Sequence, residues 1–126
     1  MRVQAFDWGE YLSFAQALNP LDGEATVRAA VSRAYYAAYG RACLRLRRRR
    51  VALPPRDKHT FVWGEYENIS NSDGDDIGEV GFALKDRRVH ADYYETPPMK
   101  KSDMEIALRD AATLIRDIDD LLRRGE

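Results

Sequence analysis

Residues 77–93 read IGEVGFALKDRRVHADY, and this segment has the periodicity of a helix with a charged residue on its apolar face. Its apolar residues recur at helical steps, and they are Ile77, Val80, Leu84 and Ala91. Arg88 lies on the same face, so burial of this face would take a guanidinium out of water. Because an unpaired buried charge is costly, we expect a partner, and Asp92 stands one helical turn further on. The pair is therefore either a structural lock or part of an active site.

The remaining sequence also indicates helices, since no segment alternates with the period of a strand. We predict helices over residues 7–18, 22–50 and 57–69, and a turn over residues 71–75. A last helix is expected to begin with a capping box formed by Ser102 and Glu105. Its predicted core seam is Met104, Leu108, Ala111, Ile115, Ile118 and Leu122.

The second predicted helix carries small side chains that would let a neighbouring helix approach closely, namely Ala30, Ala34, Ala37, Ala38 and Ala42. Short connections between long helices favour antiparallel neighbours. The pattern therefore predicts an all-α fold, an antiparallel up-and-down bundle of about five helices, with residues 1–126 forming a single domain.

Composition narrows the class of protein. The chain is 44% hydrophobic and 33% charged, as is usual for a globular domain. Cys43 is the only cysteine, so no intrachain disulfide can form, and one thiolate is too few for a structural zinc site. No signal-peptide pattern and no membrane-spanning apolar run are present, which predicts a cytoplasmic protein without a membrane partner. No Gly-rich phosphate loop and no metal-ligand spacing occur, so we predict no cofactor and no metal.

Charge is distributed unevenly along the chain. Residues 1–63 carry eleven Lys and Arg against five Asp and Glu, whereas residues 64–126 carry nine against sixteen. The basic half includes a run of four arginines, Arg47, Arg48, Arg49 and Arg50. Such a run either contacts phosphates of a nucleic acid or nucleotide, or forms a solvated helix end that meets an acidic partner. The asymmetry also fits two halves, or two copies, that pack on each other.

Few residues are candidates for acid–base chemistry. His59 and His90 are the only histidines, and either would titrate near neutral pH in its unperturbed state. His90 lies two residues after Arg88, which puts the two side chains on different faces of a helix. Tyr36, beside Arg33, is predicted to point away from Tyr35 and is either a packing residue or part of a second surface. From the residues alone, an enzyme is not indicated.

Two segments together resemble the HEPN domain family (higher eukaryotes and prokaryotes nucleotide-binding). Residues 31–39, VSRAYYAAY, are similar to a signature in the second helix of that domain, and residues 84–93, LKDRRVHADY, are similar to its later LxxxRxxADY segment. The resemblance spans nearly the whole chain. It implies a helical bundle that forms a homodimer, with the late-helix motifs of two subunits facing one cleft. Many members are metal-independent endoribonucleases that act as toxins or in antiviral defence, and some pair with a nucleotidyltransferase antitoxin.

This chain departs from the ribonuclease motif of the family, in which a histidine follows the arginine by about four to six residues. Arg88 matches the motif arginine, but Asp92 and Tyr93 occupy the positions four and five residues further on. His90 is too close, and Gly40 stands where relatives often have a histidine.

We therefore expect a HEPN-type protein that binds RNA or a nucleotide in a toxin–antitoxin or defence setting, with a degenerate ribonuclease motif. The candidate catalytic residues are Arg88, His90, Asp92 and Tyr93, and the candidate nucleic-acid contacts are Arg33, Tyr36, Arg47, Arg48, Arg49 and Arg50. One alternative is an active endoribonuclease in which His90 or His59 is supplied by the other subunit. Another is a protein-interaction module that pairs with a nucleotidyltransferase-type partner. Whether the protein is an enzyme stays open at this point.

Overall fold

The computed structural model describes residues 4–69 and 72–125, apart from the side chains of residues 72–75. It contains five helices, which are α1 (Gly9–Ala17), α2 (Glu24–Arg48), α3 (Lys58–Glu67), α4 (Ser72–Tyr93) and α5 (Lys101–Arg123). No strand occurs in this part of the chain, so the prediction of an all-α fold with five helices is confirmed.

The long helix α2 is the centre of the bundle, because it contacts each of the other four helices. Its small face is fully buried, as the sequence predicts, at Ala30, Ala34, Ala37, Ala38 and Ala42. Alanine side chains allow neighbouring helix axes to come close, and α5 is the helix that contacts α2 most extensively. Helix α3 packs mainly against α4, and α1 packs against α2 and α5.

The buried seam of α5 differs from the predicted one in every second position. The residues that face the core are Met104, Ala107, Ala111, Leu114, Ile118 and Leu121. The predicted alternatives Leu108, Ile115 and Leu122 are only partly buried at the edge of the core. The apolar residues of α5 form three adjacent rows along the helix, and only two of these rows can face the core at once. The position of α2 decides which two are buried.

Two predicted helix starts are also wrong. The capping box of α5 is not formed by Ser102 and Glu105, because the Lys100 N–H donates to the Asp103 carboxylate at 2.7 Å, two residues earlier. Residues 72–75 form the first turn of α4 and not a loop turn, while Asn71 lies outside the described residues. Acidic residues are favourable at a helix N-terminus, so a segment rich in Ser and Asp suits either structure.

Each of the two tryptophans lies flat against a glycine of a neighbouring helix. A Cβ atom added to Gly81 on α4 would lie 2.2 Å from the Trp63 ring, and one added to Gly40 on α2 would lie 2.2 Å from the Trp8 ring. Only a residue without a side chain permits this approach. The Trp8 indole therefore covers the α2 backbone at Gly40.

Candidate functional site

Arg88 is buried in the bundle, as the apolar pattern of α4 predicts. Its side chain is 7% exposed and lies 3.7 Å from the Asp92 carboxylate, so the predicted pair is formed. The guanidinium carbon lies 5.1 Å from the centre of the Tyr35 ring and 5.3 Å from that of Tyr36. Its Nε atom is buried and has no hydrogen-bond partner in the described part of the chain. The ring faces and the carboxylate thus compensate this charge only in part.

A hydrogen-bonded chain connects the neighbourhood of Arg88 to His59 on α3. The Trp63 Nε1–H donates to the Tyr35 hydroxyl at 3.1 Å, and the Tyr35 oxygen lies 2.6 Å from His59 Nδ1. Tyr35 is fully buried, so its one proton needs an acceptor, and His59 Nδ1 is the acceptor that these contacts provide. We assign His59 as the neutral tautomer with its proton on Nε2 on this basis.

The electrostatic surroundings keep His59 neutral. Burial, and then the positive charges of Arg88 and Lys85, lower the pKa of His59 from 6.5 to about 4. The imidazole also stacks on the Tyr39 ring, with 4.1 Å between ring centres. A neutral histidine would suit a general base, but its Nδ1 atom is occupied by Tyr35 and its Nε2 atom already holds the proton. In this position, the Nε2–H of His59 can donate a hydrogen bond, but neither ring nitrogen is free to accept a proton.

An open groove of about 540 Å³ lies on the other side of Tyr36, lined by Trp8, Tyr11, Ser32, Arg33, Tyr36, Asp92 and Tyr93. Its volume falls within the usual range of small-molecule sites. The Arg33 guanidinium carbon lies 5.0 Å from the ring centres of both Tyr11 and Tyr36. The groove therefore combines aromatic rings with the guanidinium of Arg33. Arg88 lies behind the groove, against Tyr36 and Asp92.

The end of α4 is fixed to α2 by polar contacts, which position Asp92 and Tyr93 in the groove. The Ser32 hydroxyl donates to Asp92 Oδ2 at 3.3 Å. One turn earlier on α2, the Arg28 guanidinium donates to the backbone carbonyls of residues 90, 91 and 94 at 2.7 to 3.1 Å. The end of a helix leaves its last carbonyls without intrahelical donors, and Arg28 supplies a donor there, although the His90 carbonyl also accepts from the Tyr94 N–H. Tyr93 itself is 68% exposed, so its ring is available to a ligand.

His90 is not brought to Arg88, in agreement with the two-residue spacing. Its Nε2 atom lies 2.8 Å from the Pro97 carbonyl oxygen, and it lines a different cavity together with Asp86, Arg87 and Asp103. The candidate catalytic residues thus separate into Arg88, Asp92 and Tyr93 at or behind the groove, and His90 on another face.

The four consecutive arginines lie at the C-terminal end of α2, away from the groove. Arg47, Arg48, Arg49 and Arg50 are all exposed. Helical rise puts about 16 Å along the axis between Tyr36 and Arg47, so the run does not form the rim of this groove. Arg48 instead lines a separate cavity with Arg41, Asp119 and Arg123.

Sequence reasoning missed three residues of the site: Trp8, Tyr11 and Ser32. One signal could have found their surface, because Arg33, Tyr36 and Gly40 share a face of α2 at steps of three and four that is not part of the alanine face. No comparable signal exists for the contact between His59 and Tyr35, which joins two separate helices.

Other kinds of site receive no support from the described residues. Within residues 4–69 and 72–125, no group of three His, Cys, Asp or Glu side chains is placed to hold a metal ion. None of the helices in the part of the chain that the structure describes combines the length and apolar character needed to cross a membrane. Comparisons of the chain with protein-family models, with curated proteins and with solved structures gave no match in any of the three sets.

Proposed function

We propose that this chain is a HEPN-type protein that binds single-stranded RNA or a nucleotide in the groove between α1, α2 and the end of α4. The observation that carries the proposal is the groove lining, in which the Arg33 guanidinium lies against the rings of Tyr11 and Tyr36 and the rings of Trp8 and Tyr93 line the same groove. Stacking of a nucleobase on an exposed aromatic ring and contact of a phosphate with arginine are the common means of binding single strands.

Charge in and behind the groove supports an anionic ligand. Arg33 and Arg88 lie within about 5 Å of the same Tyr36 ring, and Asp92 is the one carboxylate among the groove residues. Two arginines against one carboxylate leave a surplus of positive charge, which favours a phosphate. Affinity that comes from phosphate contacts falls steeply as the salt concentration rises. The arginine run of residues 47–50, about 16 Å further along α2, is a second place where a longer strand would contact the protein.

The proposal describes binding without an intact catalytic pair. His90 is on another face, and His59 is held by Tyr35 in a tautomer that cannot accept a proton at Nε2. By the resemblance to HEPN domains, we place the protein as a homodimer in a toxin–antitoxin or defence setting, with a nucleotidyltransferase as a proposed antitoxin partner.

The test of this function is RNA binding, measured by fluorescence anisotropy with labelled single-stranded oligonucleotides. Tyr93→Ala is expected to weaken binding by about 5- to 150-fold, since one stacked base contributes about 1–3 kcal/mol. Tyr94→Ala is the matched control, because Tyr94 is the adjacent tyrosine, is 58% exposed and does not line the groove. Equal losses in both variants, or no RNA binding by the unaltered protein, would contradict the proposal.

A second measurement separates the groove from the basic run. Replacing Arg47, Arg48, Arg49 and Arg50 together by glutamine should lower the salt dependence of binding to a long strand and leave binding of a mononucleotide unchanged. A mononucleotide that no longer binds to this variant would place the site at the end of α2 and not in the groove.

An endoribonuclease is the second candidate function, and one observation favours it. Arg88 and His59 contact the same side chain, Tyr35, within a single chain. Incubation of the purified protein with mixed RNA in the presence of a chelator tests this candidate. Cleavage that is lost in His59→Ala and kept in His90→Ala would establish it, whereas RNA that stays intact would rule it out.

A further inference from the structure

The groove presents one hydrogen-bond donor group and one acceptor group that are connected by a buried serine. Arg33 Nη2 donates to the Ser32 hydroxyl at 3.2 Å, and that hydroxyl donates to Asp92 Oδ2 at 3.3 Å. Ser32 is 5% exposed, so its hydroxyl holds the two charged groups in fixed positions from the buried side of the groove.

Both charged groups keep capacity for a ligand. The bond to Ser32 is the one hydrogen bond of the Arg33 guanidinium to another residue in the described part of the chain, and a guanidinium has five N–H donors. The Asp92 carboxylate accepts from Ser32 and lies 3.7 Å from Arg88 Nη1, and its side chain is 28% exposed. Two carboxylate oxygens offer about four acceptor positions, so further donors fit.

The pairing of an obligate acceptor with an obligate donor selects among the nucleobases. An ionised carboxylate only accepts hydrogen bonds, and arginine only donates them. Guanine is the base whose Watson–Crick edge has two adjacent donors, N1–H and the N2 amino group, followed by an acceptor, O6. Guanine offers two neighbouring donors to a carboxylate. Adenine, cytosine and uracil instead place an acceptor at or beside one of these two positions, and a carboxylate repels an acceptor.

Resting on the proposed binding function, we propose that the groove reads guanine. Asp92 accepts from guanine N1–H and the N2 amino group, Arg33 donates to O6, and the exposed Tyr93 ring stacks on the base. Ser32 and Arg88 are positioning residues for the carboxylate, since they contact Asp92 and leave its outer edge open. The same base edge occurs in a free guanine nucleotide and in single-stranded RNA.

Binding of a nucleotide series to the unaltered protein, measured by calorimetry, tests the inference without a mutation. Guanosine 5′-monophosphate is expected to bind about 5- to 150-fold more tightly than adenosine 5′-monophosphate, the discrimination usual for one bidentate base contact. Inosine 5′-monophosphate, which lacks the N2 amino group, should fall between them. Pentanucleotides with a single central G or A among uridines, measured in parallel, distinguish an RNA ligand from a free nucleotide.

Asp92→Asn is the matched variant, since it keeps the size of the side chain and exchanges one acceptor oxygen for a donor. It should lose the preference for guanosine 5′-monophosphate and gain affinity for xanthosine 5′-monophosphate, which has an oxygen in place of the amino group. Asp117→Asn, on α5 and outside the groove, is the control and should leave the preference unchanged. Circular dichroism confirms that both variants are folded.

Each outcome decides the inference. A preference for guanine that depends on Asp92 supports it, with either the mononucleotide or the pentanucleotide as the better ligand. RNA binding without base preference, a preference for adenine, or a guanine preference that persists in Asp92→Asn overturns the guanine assignment and leaves the proposed binding function standing. Failure of every nucleotide and oligonucleotide to bind overturns both.

Discussion

Replacing Arg88 with methionine separates a structural lock from a residue that serves the groove. The guanidinium contacts two rings and one carboxylate, and its buried Nε has no partner among the described residues. Two ring contacts by one desolvated cation contribute about 1–2 kcal/mol, and the partly exposed ion pair about 0.5–1 kcal/mol. The buried, unsatisfied Nε destabilises the folded state by about 1–3 kcal/mol, and this destabilisation disappears when the guanidinium is removed. These contributions largely offset one another, so we expect Arg88→Met to change the free energy of unfolding by no more than about 2 kcal/mol.

The same substitution should have a larger effect on the electrostatics of the site. Arg88 is, after burial, the main cause of the low pKa of His59, so the His59 pKa should rise from about 4 toward 6.5 in Arg88→Met. The assay is an NMR titration of the imidazole signals combined with urea denaturation. Arg88→Lys is the control, since it keeps the positive charge and should keep the low pKa. The reasoning is refuted if Arg88→Met loses several kcal/mol of stability while the His59 pKa stays near 4.

Three further predictions concern the stability of the bundle. Gly81→Ala should destabilise the protein by about 1–3 kcal/mol in urea denaturation, because the added Cβ would lie 2.2 Å from the Trp63 ring. Gly64→Ala is the control: its added Cβ would have no atom within 4 Å, so this substitution should stabilise α3 by about 0.5–1 kcal/mol. Arg28→Met should cost about 1–3 kcal/mol and increase amide hydrogen exchange at the end of α4, since the carbonyls there lose the guanidinium donor; unchanged exchange would contradict this. Because the folded pKa of His59 is about 4 and its ordinary value is 6.5, the unfolded state binds the extra proton between these pH values, so stability should be lost as the pH falls through this window. After a discount for solvent exposure the loss is about 1–2 kcal/mol, and His59→Gln should remove that part of the pH dependence.

Periodicity was sufficient to predict the helices and the small face of α2, because burial of one face is a local property of the sequence. It was not sufficient for α5, where Leu108 and Leu114 lie in different apolar columns and the neighbouring helix decides which is covered. The inward position of Arg88 and its contact with Asp92 followed from the spacing within α4.

The rest of the site depends on contacts between segments that are far apart in sequence. Trp8 precedes α1 and reaches the groove because Gly40 leaves room for its ring, and His59 meets Tyr35 across two helices. Neither contact has a periodic signal. The distance between Arg47 and the groove, in contrast, follows from helical rise and could have been worked out in advance.

The placement of the two indoles gives the protein a built-in pair of optical reporters. Trp63 is fully enclosed and donates to the Tyr35 hydroxyl, so its emission is expected to be blue-shifted and shielded from acrylamide. Trp8 forms part of the groove wall, so its emission should be quenched by acrylamide and should change when a ligand enters. Occupancy of the groove and integrity of the core can thus be followed in one cuvette without an added label.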